Sequence, residues 1–381
     1  MATPRNVFMV SFDRSLVGEG GTDAVARHKR YAKLLQGSLS VVVVTPPGYP
    51  HLKVNERFEI LPTNAKGLAG HAWSIFYYYR IIRRAQHIHL IISQDLAAPL
   101  LLLLKWYTRL PLLVTVHGIW WDDWFSEKKW WHRWYLPFIF YSFKKADAVR
   151  VVSHYLRNEL IARGVRANRV HVIPVPVNLE LFSQCDPEAL EEVQRKIPSP
   201  FALSVGRLER EKGFDQLLLA WEQLQKEGIT AHLAIIGEGS QRQALEAWVR
   251  EHKLESSVTF VGRIASEHLS PYYHAARCVA LASRSESFGK VLVEAGAAGK
   301  AAVATDTHGA AEIIITGKTG YLVSQGDMRA FAQKMADLFQ NSVLAEELGQ
   351  EAHAHVMNAF DGDKNSEKIV RLWKQVAINK S

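Results

Sequence analysis

Residues Ser283–Glu294 read Ser-Arg-Ser-Glu-Ser-Phe-Gly-Lys-Val-Leu-Val-Glu, and the rest of the chain can be read outward from them. The apolar run Ala276–Ala282 predicts the end of a buried strand, and the apolar residues after Gly289 predict a helix. Glu286 then lies on the loop where this helix begins, and Glu294 lies about a turn and a half inside it. Because a helix start presents free N–H groups and partial positive charge, the stretch favours a phosphate.

Two carboxylates beside an anion site repel the anion unless they bind hydroxyl groups of the same ligand. A nucleotide sugar has this layout, because its diphosphate lies between a ribose and a hexose. The alternative is that Glu286 is a solvated loop acid and Glu294 an acid on a helix face. With Phe288, Gly289 and Lys290 between them, the two glutamates resemble the donor-site signature of retaining glycosyltransferases of family 4. The resemblance implies an α/β fold of the GT-B type, in which two Rossmann-like doubly wound domains face each other across a cleft.

Length and charge agree with two unlike domains. The 381 residues suffice for two domains of ordinary size. Residues 1–178 carry 24 Lys and Arg against 11 Asp and Glu, or +13, whereas the remainder carries 22 against 27, or −5. Eight of the eleven tryptophans precede residue 135. The first half is therefore expected to meet something anionic or interfacial.

Composition also indicates a compartment. The two cysteines, Cys185 and Cys278, are read as reduced thiols of a cytoplasmic protein. The apolar run Asn6–Phe12 is followed at once by charged residues, so no secretory pattern is predicted. The longest lipophilic run, Leu96–Leu104, is too short to cross a bilayer. We expect a cytoplasmic protein, with a position at the inner face of the cell membrane left open.

The first predicted strand, Asn6–Ser11, leads into a glycine-rich turn that contains Gly18, Gly20 and Gly21. This turn lacks the third glycine of a dinucleotide fingerprint, so it is a weak NAD signal. The resemblance to family 4 implies that Gly20 and Gly21 lie near the donor phosphates and the acceptor. A plain tight turn is the alternative.

A later strand, Pro111–Val116, ends in His117. A histidine at a strand end is usually a satisfied loop residue. Here the resemblance implies a contact between His117 and the donor hexose. Between these strands the chain alternates short apolar runs and helical segments, which predicts a doubly wound sheet with ligands at the strand ends.

The segment Trp120–Lys145 contains six tryptophans within fifteen residues, interleaved with Lys and Arg. This composition favours peripheral contact with a membrane interface, where the rings are half buried and the cations meet lipid phosphates. Packing inside the first domain is the alternative. No recognised nucleic-acid motif is present, so nucleic acid is not expected as a partner.

A proline-rich passage, Pro174–Asn178, resembles the linker between the two domains of the family. The boundary is placed near residues 176–198. The predicted domains are residues 1–176, an acceptor-side domain onto which the C-terminal helix 362–381 packs back, and residues 177–361, the donor-binding domain.

The second half opens with the strand Phe201–Val205, followed by Gly206, Arg207 and Lys212. An arginine and a lysine beside a helix start can clamp a diphosphate, the arginine as a planar fork and the lysine as a point charge. The segment also resembles the one with which GT-B enzymes hold the donor pyrophosphate.

Two later strand ends complete the predicted donor site. The resemblance implies that Gly237, Glu238 and Arg263 flank the nucleobase. Residues 309–312 are expected to begin another helix. We see no Asp-x-Asp pair arranged as a metal site, and neither a metal nor another cofactor is expected.

The resemblance implies transfer of a hexosyl unit, with retention, from a UDP- or GDP-linked sugar to an acceptor hydroxyl, for which a lipid-linked or cell-envelope glycan at the membrane surface is one candidate. Catalytic roles are assigned to Glu286, His117, Arg207 and Lys212. A GT-B nucleotide-sugar epimerase and a soluble glycosyltransferase for small molecules stay open as alternatives. An NAD-dependent oxidoreductase is the alternative from another class.

Overall fold

The computed structural model describes residues 5–18, 23–119, 121 and 131–378, without the side chains of residues 131–133. Contacts divide the chain into two units. The first comprises the residues up to Pro174 together with those from Asp363 onward, and the second is Val175–Gly362. Each unit is built on its own largely parallel sheet with connecting helices. The predicted α/β architecture with two doubly wound sheets is confirmed.

The described residues of the first unit form an eight-stranded sheet in the order β3-β4-β2-β1-β5-β6-β7-β8. Only the pairing of β3 with β4 is antiparallel among these strands. The strands are β1 (Val7–Ser11), β2 (Leu39–Val43), β3 (Leu52–Asn55), β4 (Phe58–Pro62), β5 (Leu90–Gln94), β6 (Leu112–Val116), β7 (Ala148–Val151) and β8 (Val170–Val172). The helices between them are α1 (Asp23–Leu35), α2 (Gly67–Ala85), α3 (Ala98–Thr108), α4 (Trp131–Lys145) and α5 (His154–Ala162).

The two faces of this sheet are covered by different helices. Strand β1 is fully buried, and its side chains alternate between the faces, as in any strand. Met9 packs in one core with Tyr31 of α1, whereas the ring of Phe8 lies 5.6 Å from that of Tyr79 of α2. Helices α2 to α5 all connect strands in the direction opposite to α1. Because such crossovers are right-handed, α2 to α5 share the face that α1 does not cover.

The C-terminal helix, which is α14 (Gly362–Ile378) in chain order, packs on the first unit. The Trp373 ring lies 5.3 Å from that of Tyr31, edge to face. Lys374 Nζ donates to the carbonyl of Leu34 at 3.0 Å. This helix therefore covers the α1 face of the sheet.

The second unit has a six-stranded parallel sheet in the order β11-β10-β9-β12-β13-β14. Its strands are β9 (Phe201–Val205), β10 (His232–Ile236), β11 (Val258–Gly262), β12 (Cys278–Leu281), β13 (Ala302–Thr305) and β14 (Gly320–Val323). Its helices are α6 (Leu179–Ser183), α7 (Pro187–Lys196), α8 (Phe214–Lys226), α9 (Arg242–Glu251), α10 (Ser270–Ala275), α11 (Lys290–Ala297), α12 (Met328–Gln340) and α13 (Ser342–Ala359).

Residues 176–198, where the domain boundary is predicted, contain α6 and α7. Helix α7 begins with the Asp186 side chain accepting from Glu188 N at 3.1 Å and with Pro187 in its first turn. One expectation about local structure was wrong, because residues 309–312 do not begin an α-helix. Only a short 3-10 turn forms there, and Thr319 Oγ1 accepts from Ile315 N at 2.8 Å, which ends the helical hydrogen bonding.

Candidate functional site

The loops that carry the predicted donor-site residues lie at one edge of the second sheet. Residues 206–213 follow β9, residues 237–239 follow β10, and residues 282–289 follow β12. Because the three strands are parallel, their carboxyl ends meet at the same edge. Sequence-distant loops thereby form one surface.

Lys212 and Glu286 join two of these loops. Lys212 Nζ lies 2.7 Å from Glu286 Oε2, and their side chains are only 21% and 13% exposed. Ser283 Oγ donates to the same carboxylate oxygen at 3.3 Å. The structure therefore brings together Lys212, which is predicted to bind phosphate, and Glu286, which is predicted to bind the sugar. Both side chains are partly desolvated, and charge interactions are strong in such a setting.

A second ion pair, which sequence reasoning missed, braces the same loops. The guanidinium of Arg284 forms a fork with Asp215, at 2.7 and 2.6 Å, and Arg284 N donates to the carbonyl of Glu211 at 2.9 Å. Burial would raise the pKa of Asp215, but the hydrogen bonds and the charge of Arg284 outweigh it and lower that pKa. No spacing rule links residues 215 and 284, so the sequence carried no signal for this pair.

Glycines allow the loops to approach each other. Gly213 has φ +63°, and a Cβ there would lie 1.9 Å from the carbonyl oxygen of Ala282. Gly309 N donates to the carbonyl of Glu286 at 2.8 Å, and a Cβ on Gly309 would lie 2.5 Å from Phe288 N. The backbone that carries Glu286 is therefore held from two sides.

Glu294 is buried inside α11. Its Oε2 accepts from Tyr273 Oη at 2.7 Å, and its Oε1 lies 3.0 Å from Lys290 Nζ. Burial, together with the neighbouring Glu294 charge, raises the pKa of Tyr273 well above its usual value, so this hydroxyl stays a donor. Tyr273 was not predicted. Gly289, the residue directly before α11, has φ +86° and supplies no side-chain cap to the start of this helix.

Other residues that were predicted for the donor site lie at separate places along the same edge of the second sheet. Arg207 is 71% exposed and pairs with Glu211 at 3.0 Å, not with Glu286. Gly206 N donates to the carbonyl of Ile236 at 3.0 Å. Gly237 packs on Gly206 so closely that a Cβ would lie 1.8 Å from the Gly206 oxygen.

Glu238, Arg263 and Phe288 lie in different surroundings. Glu238 pairs with Arg242 at 2.7 Å, and Arg263 is exposed. Phe288 is buried, with its ring 5.9 Å from that of Phe360. Phe288 therefore supports the loop from its inner side.

In the first unit, His117 is held by an aspartate. His117 N donates to Asp95 Oδ1 at 2.8 Å, and His117 Nδ1 lies 3.2 Å from Asp95 Oδ2. Arg150 Nη1 lies 3.4 Å from His117 Nε2. Because arginine can only donate, the contact with Nε2 is a hydrogen bond in the tautomer that carries its proton on Nδ1, facing Asp95. Asp95 and Arg150 were not predicted, since neither belongs to a motif with His117.

Arg150 is buried and donates to backbone carbonyls. Its Nε lies 3.0 Å from the oxygen of Ile173, and its Nη2 lies 2.9 Å from that of Pro174. Burial lowers the pKa of Arg150 to about 10, so it remains charged at neutral pH. The guanidinium thus fixes the His117 ring to the last residues of the first unit.

Some predicted residues lie outside the described part of the chain. They are Gly20, Gly21, Trp120 and residues 122–130. Of the tryptophan-rich segment, Trp121 is buried with its ring 5.5 Å from that of Phe140, whereas Trp134 is 74% exposed. The segment therefore contributes rings to both the core and the surface.

Among the residues that the structure describes, no group of three or more His, Cys, Asp or Glu side chains is placed to hold a metal ion. Likewise, none of the described helices combines the length and the apolar character that crossing a bilayer requires.

Comparison with known proteins identifies the family. The model of the family "Glycosyltransferase Family 4" matches residues 30–181, and that of "Glycosyl transferases group 1" matches residues 187–355. The chain belongs to the family 4 glycosyltransferases. A curated family relative is 2-deoxystreptamine N-acetyl-D-glucosaminyltransferase of Niallia circulans, 29% identical over 42% of this chain and 41% of that protein. The chain spans about half, or less, of the length of the first curated relatives it matches.

Solved structures show the same fold for this family 4 chain. Sucrose-phosphate synthase from Thermosynechococcus elongatus is 22% identical with a TM-score of 0.85, over 97% of this chain and 98% of that one. Anabaena Alr3699/HepE, solved in complex with UDP and glucose, is 19% identical with a TM-score of 0.79, over 97% and 100% of the two chains. The predicted GT-B fold is confirmed.

Proposed function

We propose that the chain transfers a hexosyl unit, with retention, from a nucleoside diphosphate sugar to an acceptor hydroxyl. The Lys212–Glu286 pair carries this proposal. It sets a cation for phosphate beside a carboxylate for hydroxyl groups, at the sheet edge where α/β proteins bind ligands. Family membership supports the same chemistry and favours it over NAD-dependent oxidation.

Lys212 is proposed to bind the diphosphate while it keeps its contact with Glu286. A lysine ammonium has three N–H donors, and the 2.7 Å contact with Glu286 uses one of them. The others can meet phosphate oxygens, together with Arg207 and the N–H groups where α11 begins. Positive charge there stabilises the charge that develops on the departing diphosphate.

The two glutamates are proposed to bind the sugar hydroxyls. Each carboxylate oxygen of Glu294 already accepts from one protein group, Tyr273 or Lys290, and each has a further lone pair. Glu294 would use these for the ribose, and Glu286 would orient the hexose. For the first unit, His117 is assigned a contact with the hexose, as the family resemblance implies.

The proposed transfer follows a front-face route. The bond between the anomeric carbon and the phosphate oxygen breaks, and a bond to the acceptor oxygen forms on the same face. The acceptor proton passes to the leaving diphosphate. No side chain is assigned as a covalent nucleophile, and no metal or other cofactor is assigned.

The donor is proposed to be UDP- or GDP-linked, with Gly237, Glu238 and Arg263 beside the base. The structure of HepE in complex with UDP and glucose supports a UDP-sugar. A lipid-linked or cell-envelope glycan is proposed as the acceptor. The positive charge of the first half and the exposed side chains of Trp134, Phe138 and Tyr141 on α4 support a peripheral membrane contact through Trp120–Lys145.

Donor screening tests this function. UDP-, GDP- and ADP-sugars are added singly, and thermal unfolding and release of nucleoside diphosphate are measured. One of them should raise the unfolding temperature, and Glu286→Gln should abolish release. The matched control is Glu222→Gln, because Glu222 pairs with Lys226 at 2.8 Å elsewhere in the same unit. Full activity in Glu286→Gln, or no response to any donor, would overturn the proposal.

A further inference from the structure

Helices α2 and α3 expose large aromatic and apolar side chains on the surface of the first unit. On α2, Trp73, Tyr77 and Ile81 are 67%, 47% and 44% exposed. On α3, Trp106 and Tyr107 are 56% and 65% exposed. Exposed groups of this size on one surface are uncommon unless the surface binds something. We call these residues, with Arg80 and Arg84, the α2–α3 surface.

The two helices present one continuous surface. Positions 73, 77, 81 and 84 recur at helical spacing, so their side chains lie along one side of α2. The rings of Trp73 and Tyr77 are stacked at 5.1 Å, and the ring of Phe76 lies 6.4 Å from that of Tyr107. A depression of about 430 Å³ is lined by these four aromatic side chains and also by Arg80, Ile81 and Arg84.

The surface is strongly basic. From residue 65 to residue 111 the sequence contains six Lys and Arg, of which Lys105 is paired with Asp147 at 2.8 Å, and a single acid, Asp95. Both carboxylate oxygens of Asp95 bind His117, so this acid belongs to the site at the strand ends. Arg80, Arg83 and Arg84 are all exposed.

We propose that the α2–α3 surface docks on an anionic lipid bilayer. Tryptophan and tyrosine rings favour the bilayer interface, where the ring is partly buried. Arginine can keep its apolar stem against the aromatic rings while its guanidinium meets a lipid phosphate. This inference deepens the membrane contact proposed above for Trp120–Lys145, because it assigns a further surface to it, and it needs neither a nucleotide sugar nor an acceptor.

Charge separates a bilayer from the other apolar partner, a second copy of the chain. Two copies joined through this surface would bring Arg80 and Arg84 of one copy towards the same cations of the other. Like charges at short distance oppose such an interface. An anionic bilayer matches both the cations and the rings.

Sedimentation of the full chain with vesicles tests the proposal, without any nucleotide sugar. The vesicles are phosphatidylcholine alone, or phosphatidylcholine with phosphatidylglycerol. The unaltered chain should bind the anionic vesicles at low salt, and binding should weaken as salt rises. The double variant Arg80→Glu with Arg84→Glu should bind at least about tenfold more weakly, because each cation near an anionic leaflet contributes a several-fold factor.

The matched control is Lys29→Glu with Lys33→Glu. These two exposed lysines lie on α1, on the opposite face of the same sheet, and the change in net charge is the same. Their replacement should change vesicle binding much less. An equal loss in both variants would mean attraction by net charge alone and would overturn the proposal, as would failure of the unaltered chain to bind anionic vesicles.

Two apolar variants complete the test. The double variant Trp73→Ala with Trp106→Ala removes two rings and leaves the net charge unchanged. It should therefore weaken the part of vesicle binding that remains at high salt, where the attraction between charges is screened. If only Trp134→Ala with Phe138→Ala on α4 weakened binding, the docking surface would lie there and the α2–α3 surface would be excluded. Unchanged thermal unfolding and donor cleavage, measured without vesicles, show that each variant is folded and separate this result from the proposed function.

Discussion

The two units share a parallel α/β architecture but hold their cations in different ways. In the second unit, Lys212 is paired with the carboxylate of Glu286 at 2.7 Å. In the first unit, the guanidinium of Arg150 donates to two backbone carbonyls and lies 3.4 Å from His117 Nε2. One cation is held by an opposite charge, and the other by neutral acceptors.

This difference indicates different tasks. An ion pair between loops can share its cation with an anionic ligand, because the ammonium has donors left over. Bonds from a planar guanidinium to carbonyls fix a direction and a ring, since all donors lie in one rigid fork. We therefore expect the Lys212 pair to act on ligand binding and Arg150 to act on the stability of the first unit.

The largest effect is expected from Lys212→Ala. Removing a cation placed where charge develops should lower kcat/KM for transfer by about a hundred- to a thousandfold. The unfolding temperature should fall as well, because the 13%-exposed carboxylate of Glu286 loses its cation, so activity is compared at a temperature where the variant is folded. Lys226→Ala, which breaks the exposed pair with Glu222, is the control and should leave activity intact. A Lys212→Ala enzyme with near-normal activity would remove the proposed difference between the units.

Arg150→Ala should act on stability instead. It leaves the carbonyls of Ile173 and Pro174 without their donors and should destabilise the first unit by about 3 kcal/mol. Chemical denaturation, followed by a probe in the first unit, measures this change. Arg150→Lys should restore only part of the stability, because an ammonium cannot reproduce the planar fork. Equal stability of Arg150→Ala and the unaltered chain would show that these bonds are unimportant.

His28 should make the first unit sensitive to acid. Burial is the main reason that its pKa is lowered from 6.5 to about 4. The unfolded chain therefore binds a proton at this site more readily than the folded chain between pH 6.5 and pH 4. Stability should fall by about 2 to 3 kcal/mol as the pH drops through that window. His28→Phe should reduce the fall by this amount; an unchanged pH profile would contradict the assignment.

The smallest effect is expected from Tyr273→Phe. It removes the 2.7 Å hydrogen bond to the buried carboxylate of Glu294 and should destabilise the second unit by about 1.5 kcal/mol. The affinity for the donor should fall as well, if Glu294 binds the ribose. Calorimetric titration with the donor measures affinity, and thermal unfolding measures stability. Replacement of the exposed Tyr141 by Phe is the control and should change neither.

The sequence by itself determined the α/β class, the location of most strands and the family. Short runs rich in valine, such as Leu39–Val43, favour strands buried on both faces, and the residues around Glu286 and Glu294 form a local signature. Hydrophobic period and short motifs are local properties, so a single sequence displays them. The same local reading failed at residues 309–312, where a 3-10 turn forms in place of the expected helix.

Only the tertiary structure decided which side chains meet. The contacts of Arg284 with Asp215, of Tyr273 with Glu294 and of Arg150 with His117 join residues 69, 21 and 33 positions apart. The parallel strands carry Arg284 and Asp215 to one edge of the second sheet. Arg150 and His117 lie on or directly after neighbouring strands of the first sheet, whereas Tyr273 and Glu294 lie on the helices before and after β12. Burial then favours the partners that satisfy each charge. Distances and burial along a sheet edge depend on the whole fold, which is why no local pattern predicted them.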